Sequence, residues 1–254
     1  MLSRSLLVLL FVFACRPVEA QSADPISADR PGLADSSTVI AKGALQLESG
    51  VEWDKRESEI TAFVPLLFRV GVSKWLEARV EGSAFDADEA GGHWQNGIGA
   101  WSVGAKAVLF HDKGRRPQAG IIGRVFPPSG TGAFASELAT GDMRLVVDWA
   151  CGDHWSLNPN IGVGWYEGDS GRYTAGLFAL TLSYEENPKV TWFVDTGGQT
   201  PEVEAGPTAV TVDGGVAYIT KRNWQLDVSV GTRAHGETPP RPFIGVGLAI
   251  RSRR

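Results

Sequence analysis

Glu77, Arg79 and Glu81 stand at every second position of one stretch, with Ala78 and Val80 between them and Leu76 before. Successive side chains of an extended chain point to opposite faces, so this spacing sets carboxylate, guanidinium and carboxylate in one row. Mixed charges held on one face can neutralise each other, or they can line a hydrated passage. The same alternation recurs elsewhere. It gives Glu48 and Glu52 within Ala44–Asp54, Arg69 within Ile60–Val72, Arg144 and Asp148 within Asp142–Ala150, and Asp227 and Arg233 within Trp224–Arg233. These ten residues are the candidate lining of an interior.

Two other constellations deserve a chemical reading. His154 and Ser156 lie two apart on one strand face, with Asn158 following, and a Ser nucleophile needs a base within hydrogen-bond reach. The pattern is similar to that of the outer-membrane phospholipase, and it is the one enzymatic alternative here. A lipase must meet acyl chains on the outside of its fold, whereas the alternation turns Ser156 and Asn158 inward. The acidic run Phe85–Gly92, with Asp86, Asp88 and Glu89, lacks the spacing of a calcium loop and is expected to be a solvated loop. No zinc-type spacing and no phosphate-cradling loop occurs. No catalytic residue, metal or cofactor is therefore expected.

The elements that must position the charged rows are strands. Trp155, Leu157, Ile161, Val163 and Trp165 share one face, and Ser156, Asn158, Asn160, Gly162 and Gly164 share the other. About twelve such stretches can be read, most of them roughly 9–13 residues long, the length of tilted membrane-spanning strands. They are Ala44–Asp54, Ile60–Val72, Trp75–Ser83, Gly97–Leu109, Gln118–Phe126, Asp142–Ala150, Trp155–Trp165, Tyr173–Tyr184, Val190–Thr196, Val210–Thr220, Trp224–Arg233 and Phe243–Arg251. The face assignment of Gly97–Leu109 is unclear because Gly and Ala dominate it. No amphipathic helix is present to cover the apolar faces, so lipid is the expected cover. The fold class is all-β, a transmembrane antiparallel up-and-down barrel.

The connections alternate in character, with Lys55–Glu59 and Glu167–Gly171 as short exceptions among those expected to be long. Ser73-Lys74, His111–Pro117, Cys151–His154, Glu185–Lys189 and Lys221–Asn223 are short, while Ala84–Asn96, Pro127–Gly141, Gln199–Pro207 and His235–Pro242 are longer. Short periplasmic turns and longer outer loops fit a barrel with both termini in the periplasm. Trp75, Trp155 and Trp224 follow short turns, and Trp53 and Trp165 lie at the opposite strand ends. These five are the expected aromatic girdles.

The chain of 254 residues carries a net charge of −5 and a pI near 5.4, which argues against a nucleic-acid partner. Residues 1–20 have the form of a secretory signal: Arg4, an apolar run from Leu6 to Ala14, then Val18-Glu19-Ala20 before a cut at Gln21. A lipoprotein leader ending at Cys15 competes, but Phe13 fits that motif poorly. Gln21–Gly43 is a polar lead-in, expected to hang in the periplasm or to plug the lumen, and residues 44–254 form the barrel.

The wording of the lead-in is specific: Ala28-Asp29-Arg30-Pro31, then Ser36, then Lys42-Gly43-Ala44-Leu45-Gln46-Leu47-Glu48. This resembles the opening of the bacterial outer-membrane transporter family of the phenol meta-degradation pathway type, with Ala28 where Thr is usual. The likeness is clearest over residues 28–84 and continues in strand rhythm to the C-terminus. It implies an outer-membrane barrel that passes a small, aromatic solute, with outer-membrane lipid, lipopolysaccharide and the barrel-assembly machinery as partners. A closed structural barrel with acidic surface loops is the alternative. The chain ends Leu248-Ala249-Ile250-Arg251-Ser252-Arg253-Arg254, without the terminal aromatic usual for such barrels.

Overall fold

Alternation along the chain becomes a closed wall. The computed structural model describes residues 25–252 apart from 57–58, 91, 114–115 and 237–240; the expected signal peptide lies outside them. Twelve long strands are joined antiparallel in chain order. They are β1 (Leu45–Arg56), β2 (Glu59–Gly71), β3 (Leu76–Ala90), β5 (Trp101–Phe110), β6 (Gln118–Phe126), β7 (Thr140–Ala150), β8 (Trp155–Gly168), β9 (Gly171–Asn187), β10 (Val190–Thr200), β11 (Ala209–Lys221), β12 (Trp224–His235) and β13 (Arg241–Arg251). A short strand, β4 (His93–Gly97), pairs only with the far end of β3. β1 pairs with both β2 and β13, and the β2–β3 pairing completes the ring. This is the antiparallel barrel that the alternation predicts. Among the described residues the helical content is one 3-10 turn, Gly132–Phe134.

The wall is inverted relative to a water-soluble protein. Ile161 and Val194 are 66% and 65% exposed, whereas Glu77 and Lys106 are fully buried. Apolar side chains left outside and charges left inside are stable only if hydrocarbon meets the outer face and closure satisfies every backbone group.

Two expectations need correction. Phe85–Gly92 is not a free loop: β3 continues to Ala90 and folds back through β4 as a hairpin, with Thr61 Oγ1 donating to Asp88 Oδ1 at 3.0 Å. A bulge where Val64/Pro65 face Ser83 and Phe85 breaks the alternation that marks the strand's first half, which is why the stretch reads as a loop. β5 begins at Trp101 rather than Gly97, because Gly97 closes the β4 pairing and Ile98–Ala100 lie outside any strand.

Residues 25–43 lie inside the ring. Their polar groups bond to inward-facing side chains from nine strands: Gln46 and Glu48, Arg69, Glu77 and Arg79, Lys106, Gln118, Asp148, Asn160, Asp195, and Gln225 with Asp227. The segment joins β1 beside the end of β2, where Gly71 donates to the Ala44 carbonyl at 3.0 Å.

Candidate functional site

The interior is organised around Asp29. Its carboxylate takes Arg79 Nη1 at 2.6 Å and Lys106 Nζ at 2.8 Å on both oxygens, with Arg69 Nη1 at 3.6 Å. Arg69 in turn donates to Glu48 Oε1 and, through Nε and Nη2, to both oxygens of Glu77, each at 2.9 Å. These six groups come from β1, β2, β3, β5 and the lumen segment, because inward positions on neighbouring strands are register partners: Gln46 with Arg69, Glu77 with Lys106. Three wall cations (Arg69, Arg79, Lys106) converge on Asp29, while Glu48 and Glu77 hold Arg69 from the wall side. Burial by itself would raise the pKa of Asp29; the charges of Arg69, Lys106 and Arg79 outweigh it and hold the carboxyl well below the usual carboxylate range.

The backbone of the segment is read by carboxylates. Glu48 Oε2 accepts the amides of Asp29 and Arg30 at 2.9 and 3.0 Å, Asp195 Oδ2 accepts Leu33 N at 2.9 Å, and Glu77 Oε2 accepts Ile40 N at 2.9 Å. Asp148 Oδ2 accepts Ser37 N at 2.9 Å and the hydroxyls of Ser36, Ser37 and Thr38 at 2.9, 2.7 and 3.3 Å. Charge-assisted bonds of this kind are about twice as strong as neutral ones. Burial also pushes Asp35 upward, and the nearby Arg79 and Arg144 outweigh that push to leave its pKa lowered. Arg79 Nη2 lies 3.2 Å from its Oδ1.

Of the candidate lining residues, Glu48, Arg69, Glu77, Arg79, Asp148 and Asp227 bond the segment directly. Glu81 sits one layer higher, where it takes Arg79 Nη2 at 3.3 Å and pairs with Arg124, which also holds Asp142. Arg144 lies 3.5 Å from Asp35 and from Asp142. Glu52 faces inward opposite Gly245 with no ion-pair partner among the described residues. Arg233 pairs with Glu202 at the outer mouth at 3.1 Å. The alternation alone misses Lys106, Arg124, Asp142, Asp195 and the lumen-segment groups, whereas Asn160 falls on the inward face it assigns. Small or apolar neighbours on both faces of β5 and β6 hide the cations, and Asp29 and Asp35 precede any strand.

Trp53, Trp75, Trp155, Trp165 and Trp224 are all on the outside, 36–55% exposed. Trp149, Tyr184, Trp192 and Tyr218 stand near the short-turn rim with Trp155, whose ring centre lies 4.9 Å from that of Tyr184. His154 Nδ1 is engaged with the Glu185 carbonyl at 2.8 Å, and the Asn158 amide donates to Asp148. No hydrogen bond joins His154 to Ser156 among the described residues, so a nucleophile–base pair is not assembled here.

Among the described residues, two cavities lie against the segment inside the barrel. One of about 310 Å³, on the side of the longer loops, is lined by Leu33, Arg144, Asn160, Tyr166, Leu177, Gln199 and Arg233 among others. The other, about 360 Å³, lies against residues 25–32 and is bounded by Asn158, Thr181, Ser183, Phe193 and Gln225. Gly32 and Leu33 stand between them.

The chain is similar in structure to an outer membrane channel from Pseudomonas putida F1, at 10% identity and a TM-score of 0.66, covering 87% of this chain and 99% of that one. The NanC porin aligns at 10% identity and a TM-score of 0.54 over 80% of this chain and 98% of its own. The KdgM porin, solved in complex with oligogalacturonate, aligns at 13% identity and a TM-score of 0.54, covering 82% and 98%. At these identities the likeness is one of fold. No curated protein matches the chain. Residues 28–251, which include most of the lumen segment and all twelve long strands, match one family, and the chain belongs to the family described as "Putative MetA-pathway of phenol degradation".

Proposed function

We propose that the protein is a passive channel of the bacterial outer membrane, exported by residues 1–20 and closed at rest by residues 25–43. The observation that carries this reading is that cavities inside the wall are lined in part by a segment held to it through hydrogen bonds and ion pairs. A barrel meant only as a scaffold has no need of a removable filler; its own side chains can pack the interior. The charged rows of β1, β2, β3, β7 and β12 then serve twice, seating the segment and lining the path once it leaves. The solute is a small molecule, aromatic by the family's description. Lipid and lipopolysaccharide meet the outer face, and the barrel-assembly machinery inserts it. No covalent step is required.

The alternative of a closed structural barrel rests on the density of ion pairs around Asp29. Planar-bilayer recording separates the two. The intact chain is expected to be closed or to flicker, and the chain lacking residues 25–43 is expected to conduct steadily. A folded deletion variant that never conducts would sink the channel reading.

A further inference from the structure

The outer cavity has a chemical character of its own. Leu33, Leu177 and Ala179 give it an apolar floor and side, and Tyr166 contributes a ring. Tyr166 folds over Gly164, where a side chain would collide with the phenol. At about 310 Å³ the cavity is in the range that holds small ligands. Two guanidiniums reach it, and they differ. Arg233 is paired with Glu202 at 3.1 Å. Arg144 has only two long ion pairs, both 3.5 Å, and its Nε is buried without a partner.

The carboxylates near Arg144 are already taken. Arg124 holds Asp142 through Nε at 3.0 Å and Nη2 at 2.5 Å, and Arg79 holds Asp35 at 3.2 Å. Arg144 therefore keeps unused donors beside a space where Leu33, Leu177 and Tyr166 meet the polar side chains of Asn160, Gln199 and Glu202. A guanidinium's flat fork matches a carboxylate with two parallel hydrogen bonds.

We propose that the outer cavity is a binding subsite for a small arene carboxylate, its ring between Leu33, Leu177 and Tyr166 and its carboxylate on Arg144. This deepens the channel reading and rests on it for its purpose. Because Asp35 belongs to the lumen segment, the incoming anion competes with Asp35 for Arg144. Occupancy of the cavity thus removes one contact that holds the segment, and the cargo itself weakens the closure. At 3.5 Å the Arg144–Asp35 contact is longer than the 3.2 Å contact by which Arg79 holds the same carboxylate, so it is the weaker of the two and the easier to displace.

Calorimetric titration of the intact chain in lipid nanodiscs tests the subsite with benzoate, its neutral analogue benzamide, and acetate. Benzoate is expected to bind at least about tenfold more tightly than either, a difference of about 1.4 kcal/mol. Arg144→Gln should abolish the preference over benzamide. Leu33→Trp, which fills the cavity from the segment without touching a charge, should abolish benzoate binding; heat-dependent gel mobility checks that each variant is folded. Equal affinity for benzoate and benzamide in the wild type overturns the proposal whether or not the variants fold. So does a preference that survives in folded Arg144→Gln. Binding is read without conductance, so a barrel that binds benzoate but never conducts fails as a channel and keeps its subsite, while one that conducts without binding does the reverse.

Discussion

Arg69, Arg79 and Lys106 converge on Asp29, which is the ion-pair partner of Lys106 among the described residues. Removing one member of a buried ion network leaves an uncompensated charge and costs about 3–5 kcal/mol. Asp29→Asn is therefore expected to unseat the segment and give lasting conductance at neutral pH; silent bilayers with unchanged thermal stability would count against it. The acid response follows from the same carboxylate. Its folded pKa is depressed, so its contribution is complete above the unfolded value of about 4 and is lost only as pH falls through the lower folded value. Asp29 should then still hold its cations at pH 4. Carbon-detected NMR of its carboxyl would show a midpoint below that pH, and a midpoint between 4 and 5 would refute the assignment. Glu48, Arg69, Glu77 and Arg79 of this cluster are legible in sequence, but Lys106 and Asp29 are not. Lys106 lies in a run of Gly and Ala that has no clear polar face, and Asp29 is separated from Lys106 by 77 positions.

At the scale of elements, what was legible is what lipid enforces. A residue on the outer face must be apolar whatever its neighbours are, so Trp155–Trp165 and Phe243–Arg251 announce themselves. Where the wall leaves the bilayer that constraint lapses. The outer half of β3, beyond its bulge, carries Asp86, Asp88 and Glu89 and looks like a loop although it pairs with β2 and β4. The junction between the lumen segment and β1 is equally local and equally hidden. Gly43 N donates to the Gly71 carbonyl at 2.5 Å, and a Cβ on Gly71 would collide with the carbonyls of Ile40 and Ala41. Gly71→Ala should lift this end of the segment while sparing the Asp29 cluster. Hydrogen exchange at the Ile40 amide, now bonded to Glu77, is expected to accelerate at least about tenfold, equivalent to about 1.4 kcal/mol. Unchanged protection would show that the end is anchored by something else.

For the whole molecule, the exposure pattern makes a prediction that a water-soluble sandwich would contradict. Val194 sits mid-strand on β10, 65% exposed and flanked by the outward Trp192 and Thr196. Arg on a lipid face costs about 2–4 kcal/mol at the bilayer midplane, whereas on a wet surface it costs almost nothing. Val194→Arg should lower the stability of the barrel refolded into liposomes by that amount. No loss would place water, not lipid, against β10.

The seam between first and last strands has a further consequence. Gly50 and Gly247 are partners across the β1–β13 pairing, and Arg30 lies over both, close enough that a Cβ on Gly50 would come within 2.7 Å of its Nη2. Its guanidinium also reaches Asp227 on β12 at 3.3 Å. That seat is composed of residues from both ends of the chain and does not exist until the two edges have met in register. A slip of one position would turn Glu48 and Glu52 toward lipid and leave Arg30 without its floor. The N-terminal arm is thus a proofreader of its own enclosure: it can settle only in a ring that has been finished correctly, and an unfinished one is left open and recognisably incomplete.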